Sequence, residues 1–150
     1  MFYESHMGQA LEEAKISSRI GEVPIGAVII NSADGALIAS CGNRVETLKD
    51  PTAHAEILAL REAAKLLKTP RLNKCDLYVT LEPCAMCAQA ISLARIRRLY
   101  YAVEDQKGGG VDNGARVYSN SGCNHRPEIY SGMRETEAKK LLRSFFFERR

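Results

Sequence analysis

The sequence predicts a single α/β domain with a mixed β-sheet held between helices. Three observations predict it. Apolar stretches at residues 23–30 and 36–40 flank the turn Asn31-Ser32-Ala33-Asp34-Gly35, which reads as a β-hairpin. Residues 77–81, a helical stretch opened by Pro83, and residues 99–103 follow one another as strand, helix and strand, a unit whose strands run parallel. Both ends of the chain read as helices rather than strands, which leaves helices to cover the sheet.

Each element has its own signal. Met7, Ala10, Leu11 and Ala14 recur at helical spacing and set a helix over 5–18. Asp50-Pro51-Thr52 starts the next helix, with Asp50 as cap and proline at the first position. Ile57, Leu60, Ala64 and Leu67 are its expected buried stripe, and the helix stops before Pro70. The helix opened by Pro83 runs to about residue 94. Residues 104–114 contain four glycines and form a loop long enough to suggest a functional role. A short strand at 128–130 and a helix over 134–147 complete the chain.

Composition limits the class. A chain of 150 residues fits one domain, and a domain of that size buries about 68–70% of its unfolded surface, so it needs no disulfide staples. No apolar run approaches the ~18 residues of a membrane-spanning helix, and Met1 to His6 lack a secretory pattern. The cysteine count is five, an odd number; together these point to a reducing cytoplasm and away from a disulfide framework. Net charge is +3, unevenly distributed. Residues 1–50 carry four Lys/Arg and seven Asp/Glu, whereas residues 51–150 carry seventeen and eleven. The basic groups cluster at Arg95-Ile96-Arg97-Arg98 and again at Lys139, Lys140, Arg143, Arg149 and Arg150. One such cluster is ordinarily a solvated face; two keep a polyanionic partner open.

The chemistry is concentrated in His54-Ala55-Glu56 and Pro83-Cys84-Ala85-Met86-Cys87, both at predicted helix starts. Cys84 and Cys87 lie three apart and share one face of a first turn, where the helix dipole favours thiolates. Two thiolates and an imidazole suit Zn²⁺, and three protein ligands leave its fourth tetrahedral position to a water or hydroxide. Glu56 lies about 200° round a regular helix from His54, so both reach one metal only if the helix end points at it. A glutamate there takes the water's proton and passes it on. Taken alone, Cys-x-x-Cys also fits a redox pair or half of a structural zinc knuckle. The joint His-x-Glu…Pro-Cys-x-x-Cys pattern is the documented signature of zinc nucleobase deaminases, in which the glutamate is acid–base and not a ligand. The remaining cysteines, Cys41, Cys75 and Cys123, read as packing residues. Cys123-Asn124-His125 lacks the further ligands of a second metal site, and His6 reads as a surface or cap residue.

Beyond this motif the sequence resembles the bacterial tRNA-specific adenosine deaminases of the cytidine deaminase-like superfamily. The likeness runs from Glu22-Val23-Pro24-Ile25-Gly26-Ala27-Val28 through Asn43 and the stretch 50–57 to Leu77-Tyr78-Val79-Thr80-Leu81-Glu82-Pro83 and the cysteines. It continues in Asn124-His125-Arg126 and in Phe145-Phe146-Phe147-Glu148-Arg149-Arg150. The stretch 108–113 departs from the family's loop, and Cys123 stands where methionine is common.

The resemblance implies a three-layer α/β/α sandwich with a five-stranded mixed sheet. It also implies a homodimer with active sites near the interface and a tRNA anticodon stem-loop as partner. One Zn²⁺ per subunit is held by His54, Cys84 and Cys87, with Glu56 as proton shuttle. Asn43 matches an asparagine that hydrogen-bonds the flipped-out base. Asp105 and Lys107 match a loop lining the RNA groove, and Arg149 and Arg150 match a basic end that touches the stem-loop. The implied reaction is hydrolytic conversion of adenosine to inosine at the wobble position, with loss of ammonia. Two other readings share the metal set: a deaminase of free nucleobases or nucleosides such as guanine or cytosine, and a non-catalytic, zinc-stabilised RNA-binding module.

Overall fold

The protein is described by a computed structural model covering residues 2–149. Its elements in chain order are helix α1 (Phe2–Arg19), strands β1 (Gly26–Asn31) and β2 (Leu37–Gly42), and the short helix α2 (Val45–Leu48). Helix α3 (Ala55–Leu67), strand β3 (Cys75–Leu81), helix α4 (Ala85–Leu93) and strand β4 (Arg98–Val103) follow. A 3-10 turn (Val117–Ser119), strand β5 (Glu128–Ser131) and helix α5 (Glu135–Glu148) end the chain. The sheet order is β2-β1-β3-β4-β5. β1 pairs antiparallel with β2 and β3, while β3–β4 and β4–β5 are parallel. The hairpin and the parallel strand–helix–strand unit are therefore both present, and the sheet is mixed.

Alternation along the strands makes the three layers. Ala27, Ile29, Leu77, Val79, Leu99 and Tyr101 face α3 and α4, where Ala55, Ala59, Leu60, Ala88 and Ile91 cover them. Val28, Ile30, Tyr78, Tyr100 and Ala102 point the other way, against Met7, Ala10 and Leu11 of α1 and Ala138 of α5. Helices cover both faces of β3, so residues 75–80 are all buried, the polar Asp76 and Thr80 included. The four α1 residues picked by spacing, Met7, Ala10, Leu11 and Ala14, are at most 1% exposed.

Four expectations shift. β1 begins at Gly26 rather than at 23 because Pro24 cannot donate to a ladder in the middle of a sheet. The third helix begins at Ala55, not at 50–52. Asp50 instead accepts hydrogen bonds through Oδ1 from the Thr52 amide at 2.9 Å and hydroxyl at 2.8 Å, closing a turn of its own. Pro83 likewise precedes its helix, whose cap is Cys84. The buried face of α3 is Glu56, Ile57, Ala59, Leu60 and Ala63, whereas Leu67 is exposed. Lys68 ends that helix in the left-handed conformation at φ 56°. No described helix is long and apolar enough to cross a membrane.

Candidate metal centre and active site

His54 and Cys84 occupy equivalent positions. Each is the N-cap of its helix in extended conformation, with ψ of 151° and 175°, and neither side chain caps its own helix. Their side chains turn towards one another instead. His54 Nδ1 lies 3.6 Å from Cys84 Sγ and 3.5 Å from Cys87 Sγ. All three donor atoms fall within 4.8 Å of one another, and they are the one group of this kind among the described residues. Cys87, one turn into α4, is fully buried. Two sulfurs and one imidazole nitrogen at the meeting of two helix N-termini match the preferences of Zn²⁺.

The electrostatics agree. The hydrogen bond from Cys87, with that from His54, holds the Cys84 thiol down at about 4. Cys87 moves upward because it donates to Cys84 and is buried. Contact with the Cys84 sulfur raises His54 above its ordinary value. Without metal, the three groups share protons that a cation displaces.

Glu56, at the second position of α3, is 4% exposed. Burial, reinforced by the negative Cys84, pushes its carboxyl up to about 7. That value suits a group that must both accept and give a proton near neutrality. The Glu56 carboxyl interacts with Cys84, His54 and Cys87, and His54 is the N-cap just outside the helix rather than a residue of a helix started at Asp50.

Asn43 is buried and lines a cavity of about 450 Å³ together with His54, Ile25, Phe145 and Arg149. Arg149 reaches it from α5, with its guanidinium 3.6 Å from the centroid of the Phe145 ring. Arg150 lies outside the described residues. Asp105 and Lys107 line a neighbouring groove, with Val23, Lys139 and Phe146, that meets the first cavity at Val23. Asp105 Oδ1 accepts the amides of Lys107 at 3.1 Å and Gly108 at 2.9 Å, so part of this carboxylate folds its own loop.

The other cysteines and histidines are accounted for. Cys75 is buried. Cys41 is half-buried and donates to Glu62 Oε2 at 3.1 Å, so it does more than pack. Cys123 lies against the Ser92 hydroxyl at 3.4 Å and the His125 carbonyl at 3.1 Å, and His125 Nε2 is 2.7 Å from the Ile96 carbonyl. His6 is half-buried and packs on Tyr78 at a centroid distance of 5.2 Å, rather than lying on the surface or capping.

Besides Asp76, which is 5% exposed and ion-paired with Arg97 at 2.6 Å, two buried carboxylates were not singled out by sequence reasoning. Glu22, 1% exposed, accepts from the Glu46 amide at 3.1 Å, the Thr47 amide at 2.6 Å and the Thr47 hydroxyl at 2.5 Å. The Asn43 amide stands 3.5 Å away. Glu82, 2% exposed, binds the loop after β4. An acidic residue beside an apolar strand is the only sequence signal either one gives.

Comparisons with known proteins agree with this site. Residues 2–103 match the cytidine and deoxycytidylate deaminase zinc-binding region. The chain is 54% identical over 144 residues to the tRNA-specific adenosine deaminase of Agrobacterium fabrum, covering 96% of this chain and 93% of that protein. It is 46% identical over 137 residues to the enzyme of the same description from Aquifex aeolicus, covering 91% and 89%. A solved structure from work on A-to-I editing by tRNA:A34 deaminases superposes with TM-score 0.89 at 52% identity, covering 92% of this chain and 99% of the other. A guanine deaminase from Nitrosomonas europaea superposes with TM-score 0.82 at 27% identity, covering 95% and 83%. The chain belongs to the zinc-dependent cytidine and deoxycytidylate deaminase family, on the branch of the tRNA-specific adenosine deaminases.

Proposed function

We propose that the protein, acting as one deaminase domain in the cytoplasm, hydrolyses adenosine to inosine at the wobble position of a tRNA anticodon and releases ammonia. One observation carries the choice of an RNA substrate. Phe145 of helix α5 and Arg149, the cap at its end, border the same cavity as His54 and Asn43. A free base has no use for a cationic helix end beside its pocket, whereas a loop nucleotide brings phosphates with it. The tRNA-specific adenosine deaminase of Agrobacterium fabrum matches over 96% of this chain at 54% identity, against 27% for the Nitrosomonas europaea guanine deaminase.

His54, Cys84 and Cys87 hold the metal, which, when bound, supplies Lewis acidity that eases deprotonation of water. Glu56 does the proton work. It takes a proton from the attacking water and gives it to ring nitrogen 1 of adenine; it then takes the proton of the new hydroxyl on carbon 6 and passes it to the amino group, so that neutral ammonia leaves and carbon 6 keeps a carbonyl oxygen. Asn43 hydrogen-bonds the extruded base from the cavity wall. Asp105 and Lys107 border the neighbouring RNA groove, and Arg149 with Arg150 meets phosphate. An unpaired anticodon base unstacks at less cost than one in a duplex, which favours a loop substrate. Two copies pair in this reading, supported by Met86 at 37% and Leu93 at 69% exposure on α4, the helix that carries Cys87.

The test is ammonia release from a tRNA anticodon stem-loop compared with free guanine, cytosine and cytidine, with sequencing of the RNA for an A-to-G change at the wobble position. Turnover of the stem-loop alone is expected. Turnover of guanine alone overturns the reading.

A further inference from the structure

The strongest unassigned feature is a buried anion with no cation beside it. Glu82 follows β3 directly and precedes Pro83 and the metal ligand Cys84. Its side chain is 2% exposed, and none of the ion pairs among the described residues includes it. Five N–H groups stand in for a cation. Glu82 Oε1 accepts from the Asp105 amide at 3.0 Å and from Asn113 Nδ2 at 2.7 Å. Oε2 accepts from the amides of Val111, Asp112 and Asn113 at 3.0, 2.9 and 3.0 Å. The donors come from both ends of the loop 104–114, so one carboxylate ties the loop's entry to its exit. Hydrogen bonds to a charged acceptor are the strong kind, and burial makes losing them costly.

Backbone contacts complete the attachment. The Gly110 amide donates to the Pro83 carbonyl at 2.8 Å. A β-carbon at Gly110 would lie 2.5 Å from the Ala85 nitrogen, and one at Gly109 would lie 2.5 Å from the Glu82 carboxyl. The loop is thus seated without clearance on the turn that presents Cys84. Its entry carries Asp105 and Lys107, which line the groove beside the metal cavity.

We propose that Glu82 is a positioning residue that fixes this loop, and with it the RNA-binding groove, relative to the metal-ligand turn. The proposal deepens the RNA reading above and rests on it. Its chemistry requires a carboxylate, because a carboxylate only accepts, whereas a glutamine of the same shape turns an NH₂ towards existing N–H donors. Asn113→Asp offers a partial complement: in an E82Q background it supplies an acceptor for that NH₂ and leaves the glutamine oxygen to the three backbone amides, while the Asp105 amide alone stays opposed.

The experiment measures steady-state deamination of an anticodon stem-loop by wild type, E82Q, N113D and the double variant, with zinc content and the rate of tryptic cleavage after Lys107. In E82Q the expected KM rises about 10- to 100-fold, the equivalent of one charge-assisted hydrogen bond. The same variant keeps its kcat and zinc and is cut faster after Lys107. The double variant recovers KM beyond the sum of the single changes. Should E82Q not accumulate as soluble protein, N113A, which deletes only the Nδ2–Oε1 bond, is measured in the same way with a smaller rise in KM expected. An unchanged KM, loss of zinc, or absence of rescue overturns the proposal. A wild-type enzyme inactive on the stem-loop refutes the RNA reading, and the positioning role for RNA falls with it. Faster cleavage after Lys107 in E82Q would then survive as evidence of the tether alone, so the two failures are distinguishable.

Discussion

His54 Nδ1 lies 3.6 Å from Cys84 Sγ, although the two residues are 30 apart in the chain and cap different helices. Helix N-caps are usually residues whose own oxygen satisfies a free amide, and losing that cap typically costs about 1 kcal/mol. Neither His54 nor Cys84 makes such a bond. Two helix starts forgo a side-chain cap to present metal ligands, a loss that a bound cation would offset.

The first prediction follows from that exchange. Stripping zinc with a strong chelator lowers the melting temperature, and Cys87→Ser lowers it similarly while abolishing stoichiometric zinc. Zinc uptake by the stripped protein releases protons, because the raised Cys87 thiol and the raised His54 imidazole must both give theirs up. Zinc affinity therefore falls as pH falls. Calorimetric titration in buffers of different ionisation enthalpy measures the release; uptake with no proton change would rule out this ligand set.

Glu56 is expected to act on protons and not to hold the metal. Glu56→Ala keeps zinc and fold, and deamination falls by about 10²–10⁴-fold, the usual share of general acid–base catalysis. Elemental analysis of the purified variant decides between the roles, since loss of zinc would make Glu56 a ligand.

Glu22 gives a pH-dependent prediction. Burial raises its carboxyl, but the hydrogen bonds from Thr47 and Glu46 and the charge of Arg44 outweigh it and leave the group below the ordinary carboxylate range. A carboxyl lowered in the folded state contributes stability above its unfolded pKa, and this contribution is lost as pH falls through the folded value. Glu22→Gln should therefore cost about 1–3 kcal/mol at neutral pH, with the gap to wild type narrowing below about pH 4. Urea midpoints of both proteins across that range test this, and a gap independent of pH would refute it.

Replacing Arg149 and Arg150 together is expected to weaken stem-loop binding and to flatten its dependence on salt, by about 0.7–0.9 in the logarithmic slope for each phosphate contact removed. Affinity measured at several salt concentrations is the check. An unchanged slope leaves these arginines as a solvated helix end. Because Arg149 also covers the Phe145 ring, a lysine variant, which keeps charge but loses the flat guanidinium, separates phosphate contact from packing.

Much of this protein was legible in residue order. Spacing alone marked the buried face of α1 through Met7, Ala10, Leu11 and Ala14, because burial along one helix is a local, periodic property. The parallel pairing of β3 and β4 followed from the helix between them. The metal donors were legible because two short motifs at helix starts carry their own geometry. Helix boundaries were less so: Asp50 had the composition of a cap but spent its carboxylate on Thr52.

The remaining features were decided only by tertiary structure. Nothing local states that β1 lies between β2 and β3, or that α5 returns Phe145 and Arg149 to the cavity of His54 and Asn43. Glu22 and Glu82 look like surface acids in the sequence, yet both are buried, because donors from segments more than twenty residues away converge on them. Periodicity records how much of an element is buried. What covers it, and which distant amides neutralise a buried charge, depends on contacts made only when the whole chain has folded.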